Sequence, residues 1–382
     1  MKKYKLLFGV CGIGRGHIYR QLPIISYFEK SCDIIIFAFG ESHSFFKDLY
    51  LNHKNVKVLE VFVPWIHGGL SGIDYLRTAN EPFNKKDMFI SQNFVAMDAA
   101  FKWFGKPDLI ISDYEPISAQ YSYTLDAPLV TIDQQSKYFY GGYPSKLDNL
   151  GVQEERARLN LFFPKADARI ACSFFQSPSD KSANKNLKVM IVPPVIRDEI
   201  VELKIMEHGV PEHVLVYLSP YSSFVQSAEE VLGLLAKFSK YSFHLFVSKK
   251  ADFLKVKHQL PNNITINFHG DKEFLHLLQL SGSAICTAGH MFISEMMFLN
   301  KPVYAIPLQT YEQKYNAKII GDNKFGITHS QIEVHSLHDF LANITKFKHN
   351  IVFNNKVLLN EEPGQIQIVN FIEKMLKSSY ED

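Results

Sequence analysis

The chain has 382 residues, 46% of them hydrophobic and 21% charged, so it can bury a full core and is long enough for two domains. Lysine and arginine total 41 against 39 acidic residues, and the formal net charge of +2 gives no global reason to expect nucleic acid as the partner. The four cysteines form no C-x-x-C pair, which favours reduced thiols in a cytoplasmic protein over a zinc site. We expect neither a signal peptide nor a membrane span, because the apolar runs are too short.

Short apolar runs rich in valine, isoleucine and phenylalanine recur along the chain and predict strands that are buried on both faces. Segments long enough for crossover helices separate many of them, so the sequence predicts an α/β fold with doubly wound parallel sheets. The predicted strands are Lys5–Val10, Asp33–Phe39, Val56–Val63, Asp108–Ser112, Pro128–Ile132, Ala168–Ser173 and Leu187–Val192 in the first half, then His213–Leu218, Phe243–Val247, Ile264–Phe268, Ala284–Thr287 and Pro302–Ile306.

The alternation of strands and helices starts afresh in the second half. The first half ends at a double proline, Pro193–Pro194, and polar sequence with weak patterning follows to Gly209. We therefore place the interdomain linker at about residues 193–210. This divides the chain into an N-terminal Rossmann-like domain, residues 1–195, and a C-terminal Rossmann-like domain, residues 196–363.

Two apolar stripes near the end of the chain predict helices. We expect Ser336 to cap the first of them. Its apolar face consists of Leu337, Phe340, Leu341 and Ile344. The second helix covers residues 364–380. The simplest expectation is that each covers its own sheet, but the second can instead pack back on the N-terminal domain.

A glycine-rich stretch, "GVCGIGRGHIYRQLP", follows the first predicted strand at residues 9–23. Gly12, Gly14 and Gly16 alternate with other residues and lead to His17. The dinucleotide-binding fingerprint needs glycine at position 17, and the phosphate loop needs Gly-Lys-Ser/Thr, so both motifs fail. What remains is a strand, a glycine turn and a histidine that opens a helix.

The glycines of this turn let another molecule approach the backbone closely. A helix N-terminus disfavours a charged ring, so we expect His17 to be a neutral imidazole that can accept a proton. The alternative is that His17 only caps or packs against the helix.

A second pattern occupies residues 283–327, "SAICTAGHMFISEMMFLNKPVYAIPLQTYEQKYNAKIIGDNKFGI". It predicts a strand, a turn at Gly289, a helix, a Lys301–Pro302 step into another strand, and a helix that begins near Gln313. Here the sequence resembles the nucleotide-sugar glycosyltransferases of the GT-B fold, and is similar to the group that contains the bacterial lipid I N-acetylglucosaminyltransferase and related uncharacterised proteins. The matching positions are Gly289, Glu295, Lys301–Pro302, Pro307, Gln313, Asn316 and Ala317.

The stretch "GIGRGH" matches the glycine-rich loop of the same family, so the resemblance touches both halves. It implies two Rossmann-like domains facing each other across a cleft. It also implies transfer of a sugar from a nucleotide-diphosphate sugar to an acceptor hydroxyl, and UDP is the expected nucleotide. We expect inversion with His17 as the general base, and neither a metal nor another cofactor.

The resemblance further implies which residues bind the donor. The carboxylate of Glu295 suits the two ribose hydroxyls, because its two oxygens can accept both hydrogen bonds. The turn before it should hold the diphosphate through backbone N–H groups and the helix dipole. The donor-binding residues predicted in this way are Gly14, Gly16, Ser222, Ser223, Gly270, Thr287, Gly289, His290, Glu295, Glu312, Gln313 and Asn316.

Three of these predictions carry specific expectations. Ser222–Ser223 lie in "SPYSS", at the family's other diphosphate loop, but the stretch lacks glycine, and hydroxyl groups would have to replace some backbone donors. Gly270 lies where the family holds the nucleobase. Gln313 and Asn316 share one face of a helix and, with Glu312, would bind sugar hydroxyls.

Asp113 is the second predicted catalytic residue. It follows a strand at its carboxyl end, where ligands bind in open α/β sheets, and it can orient His17. The alternatives are that Asp113 caps the next helix or binds the acceptor. Asp133 occupies a comparable strand end, and we rank it below Asp113.

The expected acceptor is a glycan or a lipid-linked molecule. Residues 64–106 combine Trp65 and Trp103 with several lysines, a composition that suits peripheral contact with the inner face of a membrane. An ordinary helix packed on the sheet, with solvated lysines, is the alternative. Two other functions remain open: a UDP-sugar 2-epimerase, which would use the same cleft, and a non-catalytic nucleotide- or glycan-binding protein.

Overall fold

The structure is a computed structural model. It describes residues 3–63, 68–69, 72–73, 76–77, 80, 84–163, 165–178, 189–206, 209–218, 226–247, 260–268, 273–354 and 356–378. Within these residues the predicted fold class is confirmed, because two parallel sheets with helices packed around them form two domains.

The first domain is built on a parallel sheet of seven strands. In chain order the strands of this half are β1 (Lys5–Val10), β2 (Asp33–Ala38), β3 (Val56–Glu60), β4 (Gly68–Gly69), β5 (Gly72–Ile73), β6 (Leu109–Asp113), β7 (Leu129–Asp133), β8 (Lys146–Leu147), β9 (Leu150–Gly151), β10 (Ala168–Cys172) and β11 (Val189–Val192). The sheet order is β11-β10-β7-β6-β1-β2-β3, and β4–β5 and β8–β9 are antiparallel pairs. The order reverses between β1 and β6, so a ligand crevice is expected at their carboxyl ends.

The second domain has a parallel sheet of six strands. These are β12 (Val210–Tyr217), β13 (Ser242–Val247), β14 (Ile264–Phe268), β15 (Ser281–Thr287), β16 (Val303–Ile306) and β17 (Gly326–Thr328). The order is β14-β13-β12-β15-β16-β17, so this sheet reverses between β12 and β15. Of these six strands, only β17 lacks a predicted counterpart, because its three residues are too few for a periodicity.

Helices cover both sheets. They are α1 (Arg15–Phe28), α2 (Gly40–Leu49), α3 (Lys86–Phe104), α4 (Pro116–Leu125), α5 (Val152–Phe162), α6 (Asp198–Met206), α7 (Ala228–Leu235), α8 (Glu273–Leu280), α9 (His290–Phe298), α10 (Tyr311–Asp322), α11 (Val334–Ala342), α12 (Ile344–Phe353) and α13 (Gln365–Ser378), with a 3-10 helix at Gln135–Phe139. Among the described residues, no helix has both the length and the apolar character that crossing a bilayer requires.

The expectation that Ser336 caps a helix is wrong. Helix α11 begins after Glu333, and the Ser336 hydroxyl lies 2.7 Å from the hydroxyl of Tyr304, a buried ring whose polar end needs a partner. Asn343 ends α11 and Ile344 starts α12, but Ile344 is buried in the same cluster as Leu337, Phe340 and Leu341.

Helix α13 packs on the first domain, although it follows the second domain in sequence. Its entry is fixed by backbone contacts: the Gly364 N–H donates to the Pro194 carbonyl at 2.7 Å, and the Gln365 amide bonds both the N–H and the carbonyl of Ile196. Its apolar stripe lies in the same buried cluster as β1 and β2. The stripe consists of Ile368, Val369, Ile372 and Leu376.

The two domains meet in a contact that we call the seam, formed by α1 and the 3-10 helix of the first domain against α9 and α10 of the second. Its centre is aromatic. Ring centroids of Tyr138 and Tyr311 are 5.4 Å apart, and those of Tyr143 and Tyr315 are 5.1 Å apart. Because α1 follows β1 and α9 follows β15, the seam brings the carboxyl ends of the two sheets together.

Candidate active site

The glycine-rich loop connects β1 to α1. Gly14 immediately precedes α1 with φ of 75°, a left-handed conformation that glycine adopts most easily. Gly12 is needed for a different reason, because a Cβ there would lie 1.9 Å from the carbonyl oxygen of Phe39. The loop therefore passes close to the neighbouring strand end and delivers His17 in the first turn of α1.

The Asp113 carboxylate holds His17 in place. Val10 and Asp113 pair across β1 and β6, and the Cys11 N–H donates to the Asp113 carbonyl at 3.0 Å. In this position Oδ1 of Asp113 lies 2.9 Å from Nδ1 of His17. Since an ionised carboxylate only accepts hydrogen bonds, Nδ1 carries a proton, and Nε2 of the neutral ring is left as the acceptor. The His17 side chain keeps 16% of its surface exposed, so a reactant can reach it.

Two residues that were not predicted from the sequence complete the surroundings of Asp113. Nη1 of Arg20 donates to both carboxylate oxygens at 2.8 and 2.9 Å, and Nε2 of Gln21 donates to Oδ2 at 3.1 Å. The Asp113 side chain has no exposed surface, so these bonds replace the water that it loses on folding. Arg20 and Gln21 follow His17 by three and four positions, and this helical spacing was the available signal.

The expectation that the helix N-terminus keeps His17 neutral is wrong. Burial lowers the pKa of His17, but electrostatic interaction with Cys11 and Asp113 and the hydrogen bond to Asp113 outweigh it and raise the pKa from 6.5 to about 10. A full carboxylate charge at hydrogen-bond distance exceeds the partial charge of a helix end. In the free protein, His17 is therefore protonated near neutral pH and must lose that proton before it can act as a base.

Geometry decides one alternative for Asp113 and shows what Asp133 contacts. Glu115, and not Asp113, caps α4, because its carboxylate accepts from the N–H of Ile117 at 2.7 Å. Asp133 accepts from the N–H and the hydroxyl of Ser136 at 2.6 and 2.8 Å. Asp133 is thus engaged in starting the 3-10 helix, whereas Asp113 is engaged by α1.

In the second domain, a short turn joins β15 to α9. Thr287 ends the strand, Gly289 is the N-cap, and His290 begins the helix. No side chain caps this end, and a Cβ on Gly289 would meet no described protein atom within 4 Å. The uncapped N–H groups and the open space beside them suit an approaching anion.

His290 is 3% exposed, and one of its two ring nitrogens has no hydrogen-bond partner among the described residues. The Ser294 hydroxyl donates its single proton to the His290 carbonyl at 2.7 Å. It also lies 3.4 Å from Nδ1 of His290, and because it has no second proton to donate, it accepts a hydrogen bond from a protonated Nδ1. Nε2 is then an acceptor, and it has no hydrogen-bond partner among the described residues. Burial first, and then the positive charges of Lys137 and Arg20, hold the pKa of His290 well below its usual value. The ring is therefore neutral, and its centroid lies 5.7 Å from that of Phe174.

Glu295, the predicted ribose ligand, has an arginine partner that was not predicted. Oε1 of Glu295 accepts from Nε of Arg197 at 2.9 Å, and both side chains are buried. The Arg197 guanidinium in turn lies 4.2 Å from the ring centroid of Tyr19 on α1. Arg197 comes from the connection between the sheets, so it ties the carboxylate of α9 to the helix that carries His17.

The predicted sugar-binding residues lie at the start of α10. Oε1 of Gln313 accepts from the Leu308 N–H at 3.0 Å, so this amide also shapes the preceding loop. Asn316 is fully buried, and its Nδ2 donates to the Ala288 carbonyl at 3.0 Å, which ties α10 to the turn before α9. Oδ1 of Asn316 has no partner among the described residues. Glu312 is half-buried in the first helical turn.

The structure brings the two halves of the predicted site to one place. Helix α1 contacts α9, and a Cβ on Gly16 would lie 3.5 Å from Cβ of Met291. His17 and Glu295 therefore belong to the same interdomain contact. Three predicted donor-binding residues, Ser222, Ser223 and Gly270, lie outside the described residues and stay predictions.

Comparison with curated proteins finds no match for this chain. Solved structures do match it over more than nine-tenths of both chains. A UDP-glucosyltransferase from Polygonum tinctorium that glucosylates indoxyl has a TM-score of 0.67 at 13% identity, over 98% of this chain and 99% of that one. The calicheamicin glycosyltransferase has a TM-score of 0.64 at 14% identity, over 99% of this chain and 100% of that one.

A UDP-glucose:anthocyanidin 3-O-glucosyltransferase, solved with UDP, has a TM-score of 0.65 at 14% identity, over 99% of both chains. At such identities these likenesses show the fold, which is GT-B. The family model described as "Glycosyl transferase family 1" matches residues 4–345. The chain therefore belongs to glycosyl transferase family 1 and is a glycosyltransferase with the GT-B fold.

Proposed function

We propose that this enzyme transfers a sugar from a UDP-sugar to an acceptor hydroxyl, with inversion at the anomeric carbon and His17 as the general base. The observation that carries the proposal is the 2.9 Å contact between Nδ1 of His17 and Oδ1 of Asp113. It fixes the ring so that Nε2 is the free acceptor, as a base requires. The packing of α1 against α9 supports a single site for both substrates.

In the proposed reaction, Nε2 of His17 takes the proton of the acceptor hydroxyl while its oxygen attacks the anomeric carbon. The bond from that carbon to the diphosphate oxygen breaks on the opposite face, and its electron pair leaves with the nucleoside diphosphate. The uncapped N–H groups at the start of α9 face the growing negative charge. This arrangement needs no metal ion. The raised pKa of the His17 imidazole makes it a strong proton acceptor once it is neutral.

A uridine nucleotide as the donor is supported by two observations. One fold neighbour was solved with UDP and another, from Arabidopsis thaliana, with UDP-L-rhamnose. In this chain, the buried Glu295 carboxylate is anchored through Oε1 by Arg197 and can accept from ribose hydroxyls. We assign the Glu295 carboxylate to the ribose, and the backbone N–H groups of Thr287, Gly289 and His290 to the diphosphate.

Donor binding is tested by calorimetry and by thermal shift. We expect a UDP-sugar to raise the melting temperature more than an equal concentration of NAD, since ligands that bind only the folded state stabilise it. The Glu295→Ala variant is expected to bind UDP about tenfold to a hundredfold more weakly, the range of a hydrogen bond to a charged group.

The Glu229→Ala variant, which removes an exposed glutamate of α7 on the opposite face of the second sheet from α9, serves as the matched control. An equal response to NAD, or UDP binding that does not depend on Glu295, would contradict the donor assignment. Formation of an epimer from a UDP-sugar without any acceptor would contradict transfer and point to the 2-epimerase.

For the acceptor we propose a lipid-linked molecule, taken up at the membrane surface through α3. This helix carries large apolar side chains that the first domain leaves exposed. They are Met88, Ile90, Phe94, Val95 and Phe101. A half-buried Trp103 and the basic residues near both helix ends suit an interface with anionic lipids. As part of this proposal, we infer that the chain is functionally similar to the lipid I N-acetylglucosaminyltransferase, whose group its sequence resembles.

Co-sedimentation with phosphatidylglycerol vesicles tests the membrane contact. The wild-type protein should sediment with the vesicles, and the double variant Ile90→Ser with Phe94→Ser should remain in the supernatant, because each change removes buried apolar area at the lipid surface. Phe353, 71% exposed on α12, gives the control variant Phe353→Ser, which should sediment like the wild type. Equal sedimentation of all three proteins would contradict docking through α3.

A further inference from the structure

Lys137 is a buried cation that the proposed mechanism does not use. It lies in the 3-10 helix Gln135–Phe139, and its side chain has no exposed surface. Its ammonium donates to Oε1 of Gln134 at 2.7 Å and lies 5.2 Å from the ring centroids of Tyr138 and Phe175. These contacts use one of its three N–H donors and supply no negative charge.

A buried ammonium ordinarily has a carboxylate partner, because an unpaired charge is costly in the protein interior. Among the described residues, no carboxylate oxygen lies within 4.0 Å of Nζ of Lys137. Burial lowers the pKa of Lys137 to about 8, and the more distant Glu312 carboxylate offsets this only in part. The charge is therefore only weakly compensated by the chain itself.

Three unpaired polar atoms lie on the elements that form the seam together with Lys137. Oε1 of Gln135, Nε2 of His290 and Oδ1 of Asn316 are all buried, and none has a hydrogen-bond partner among the described residues. They belong to the 3-10 helix, α9 and α10. The adjacent rings of Phe174 and Phe175 connect the cation to the imidazole: Nζ of Lys137 lies 5.2 Å from the Phe175 ring centroid, and the ring centroids of Phe174 and His290 are 5.7 Å apart. Asn316 is fixed to Ala288, two residues before His290.

The chemistry of these atoms is complementary to one kind of ligand. All three unpaired atoms are acceptors, since His290 has its proton on Nδ1, and acceptors bind hydroxyl groups. The ammonium has donors left over, and a charge-assisted hydrogen bond to an oxyanion is the strongest use for them. A ligand with several hydroxyls and a neighbouring anionic oxygen would satisfy the whole group.

We propose that Lys137 is the cation of an anion subsite at the seam, where it binds an oxyanion of the nucleotide sugar while Gln135, His290 and Asn316 accept from sugar hydroxyls. The inference rests on the proposed function and adds a substrate contact from the first domain to it. The oxyanion is either a diphosphate oxygen or a carboxylate on the sugar. In the first case Lys137 also stabilises the charge that develops on the leaving diphosphate.

Calorimetric titrations of the wild type, Lys137→Met and Lys137→Arg distinguish the two sources. If the oxyanion belongs to the diphosphate, Lys137→Met binds UDP roughly tenfold to a hundredfold more weakly, while uridine, measured by competition, is unaffected. If it belongs to the sugar, Lys137→Met loses a wild-type preference for UDP-glucuronic acid over UDP-glucose and binds UDP normally. In both cases Lys137→Arg should retain part of the wild-type affinity or preference that Lys137→Met loses, because arginine keeps the positive charge.

Melting temperatures establish that the variants fold. Lys137→Met replaces a buried charge by an apolar side chain of similar length and should melt at or above the wild-type temperature. The control is Lys301→Met, because Nζ of Lys301 donates to the carbonyls of Gln279 and Ser281 at 2.9 and 2.6 Å. This variant should melt at a lower temperature and keep the wild-type ratio of UDP to uridine affinity.

If Lys137→Met matches the wild type for UDP, uridine and both UDP-sugars, while Glu295→Ala still weakens UDP, the anion subsite is refuted and the donor assignment stands. If the wild type itself binds none of these nucleotides, the proposed function fails and the subsite fails with it.

Discussion

The His17→Ala variant is expected to lose roughly 10²–10⁴-fold in kcat, the contribution of a positioned general base, and to bind UDP as tightly as the wild type. The ring is attached to the first domain and held by Asp113, so its removal leaves the second-domain contacts to the nucleotide unchanged. Steady-state kinetics with a UDP-sugar and calorimetry with UDP measure the two effects separately.

A second histidine of the same domain provides the control. His43 on α2 lies 3.7 Å from Glu60 at the end of the edge strand β3, so His43→Ala should keep the wild-type kcat. A His17→Ala variant with a kcat within a few-fold of the wild type would rule out the base, and retention of the anomeric configuration in the product would do the same.

The pH dependence of the wild type tests the same base independently. Interaction with Cys11 and Asp113 outweighs burial and raises the pKa of His17 to about 10, and only the deprotonated ring can accept a proton. kcat/KM should therefore rise as the pH increases from neutral toward this value. If kcat/KM instead rises near pH 6.5, and rises at the same pH in the Asp113→Asn variant, the effect of Asp113 on the pKa of His17 is contradicted.

The free energy of unfolding changes in the opposite sense. The contribution of charged His17 to it is complete below the unfolded pKa of 6.5 and is lost as the pH rises through about 10.

The Asp113→Asn variant is expected to lose both activity and stability. Its amide can donate to Nδ1 of His17 and favour the wrong tautomer, which should lower kcat by about 10²-fold. It also leaves the Arg20 guanidinium, 4% exposed, without its carboxylate. Removing one partner of a buried ion pair costs about 3–5 kcal/mol of the free energy of unfolding. Chemical denaturation and steady-state kinetics measure the two losses.

A double variant separates these losses. Asp113→Asn combined with Arg20→Met removes both charges, so we expect the free energy of unfolding to recover most of the way while kcat stays low. If kcat recovers with stability, Asp113 acts only by supporting the fold. If Asp113→Asn alone is as stable as the wild type, the carboxylate is not the partner that Arg20 needs.

Much of the fold is encoded locally. The buried strands of parallel sheets form continuous apolar runs, and the predicted runs correspond to strands of the two sheets within one to three residues at most ends. Helix ends were less predictable. Ser336 has the residue type of a cap, but the buried Tyr304 hydroxyl lies beside it and the helix starts earlier. Tertiary contacts of this kind override a local preference.

The residues of the candidate site that lie at fixed positions in a motif could be predicted from the sequence. His17 after a glycine turn, Asp113 after a strand and Glu295 after Gly289 are all visible as spacings. Their partners are not. Arg197 is separated from Glu295 by 98 positions and Arg20 from Asp113 by 93, so no periodicity connects them.

The pKa of His17 shows the same division. From the sequence, the helix N-terminus was expected to lower the pKa of His17. In the structure, the pKa is raised by Cys11 and by the Asp113 carboxylate, which comes from another strand. The unpaired atoms of Gln135, His290 and Asn316 come from three elements, and only the tertiary structure shows that these elements meet at the seam.

By itself, the sequence determined the α/β class, the succession of strands and the residues that match the glycosyltransferase pattern, because hydrophobic periodicity and turn chemistry act over a few neighbouring residues. Only the tertiary structure decided which charges are paired, which polar atoms lack partners and how the two sheets meet, because electrostatic and hydrogen-bond energies depend on distance in space, and residues far apart in the chain set those distances.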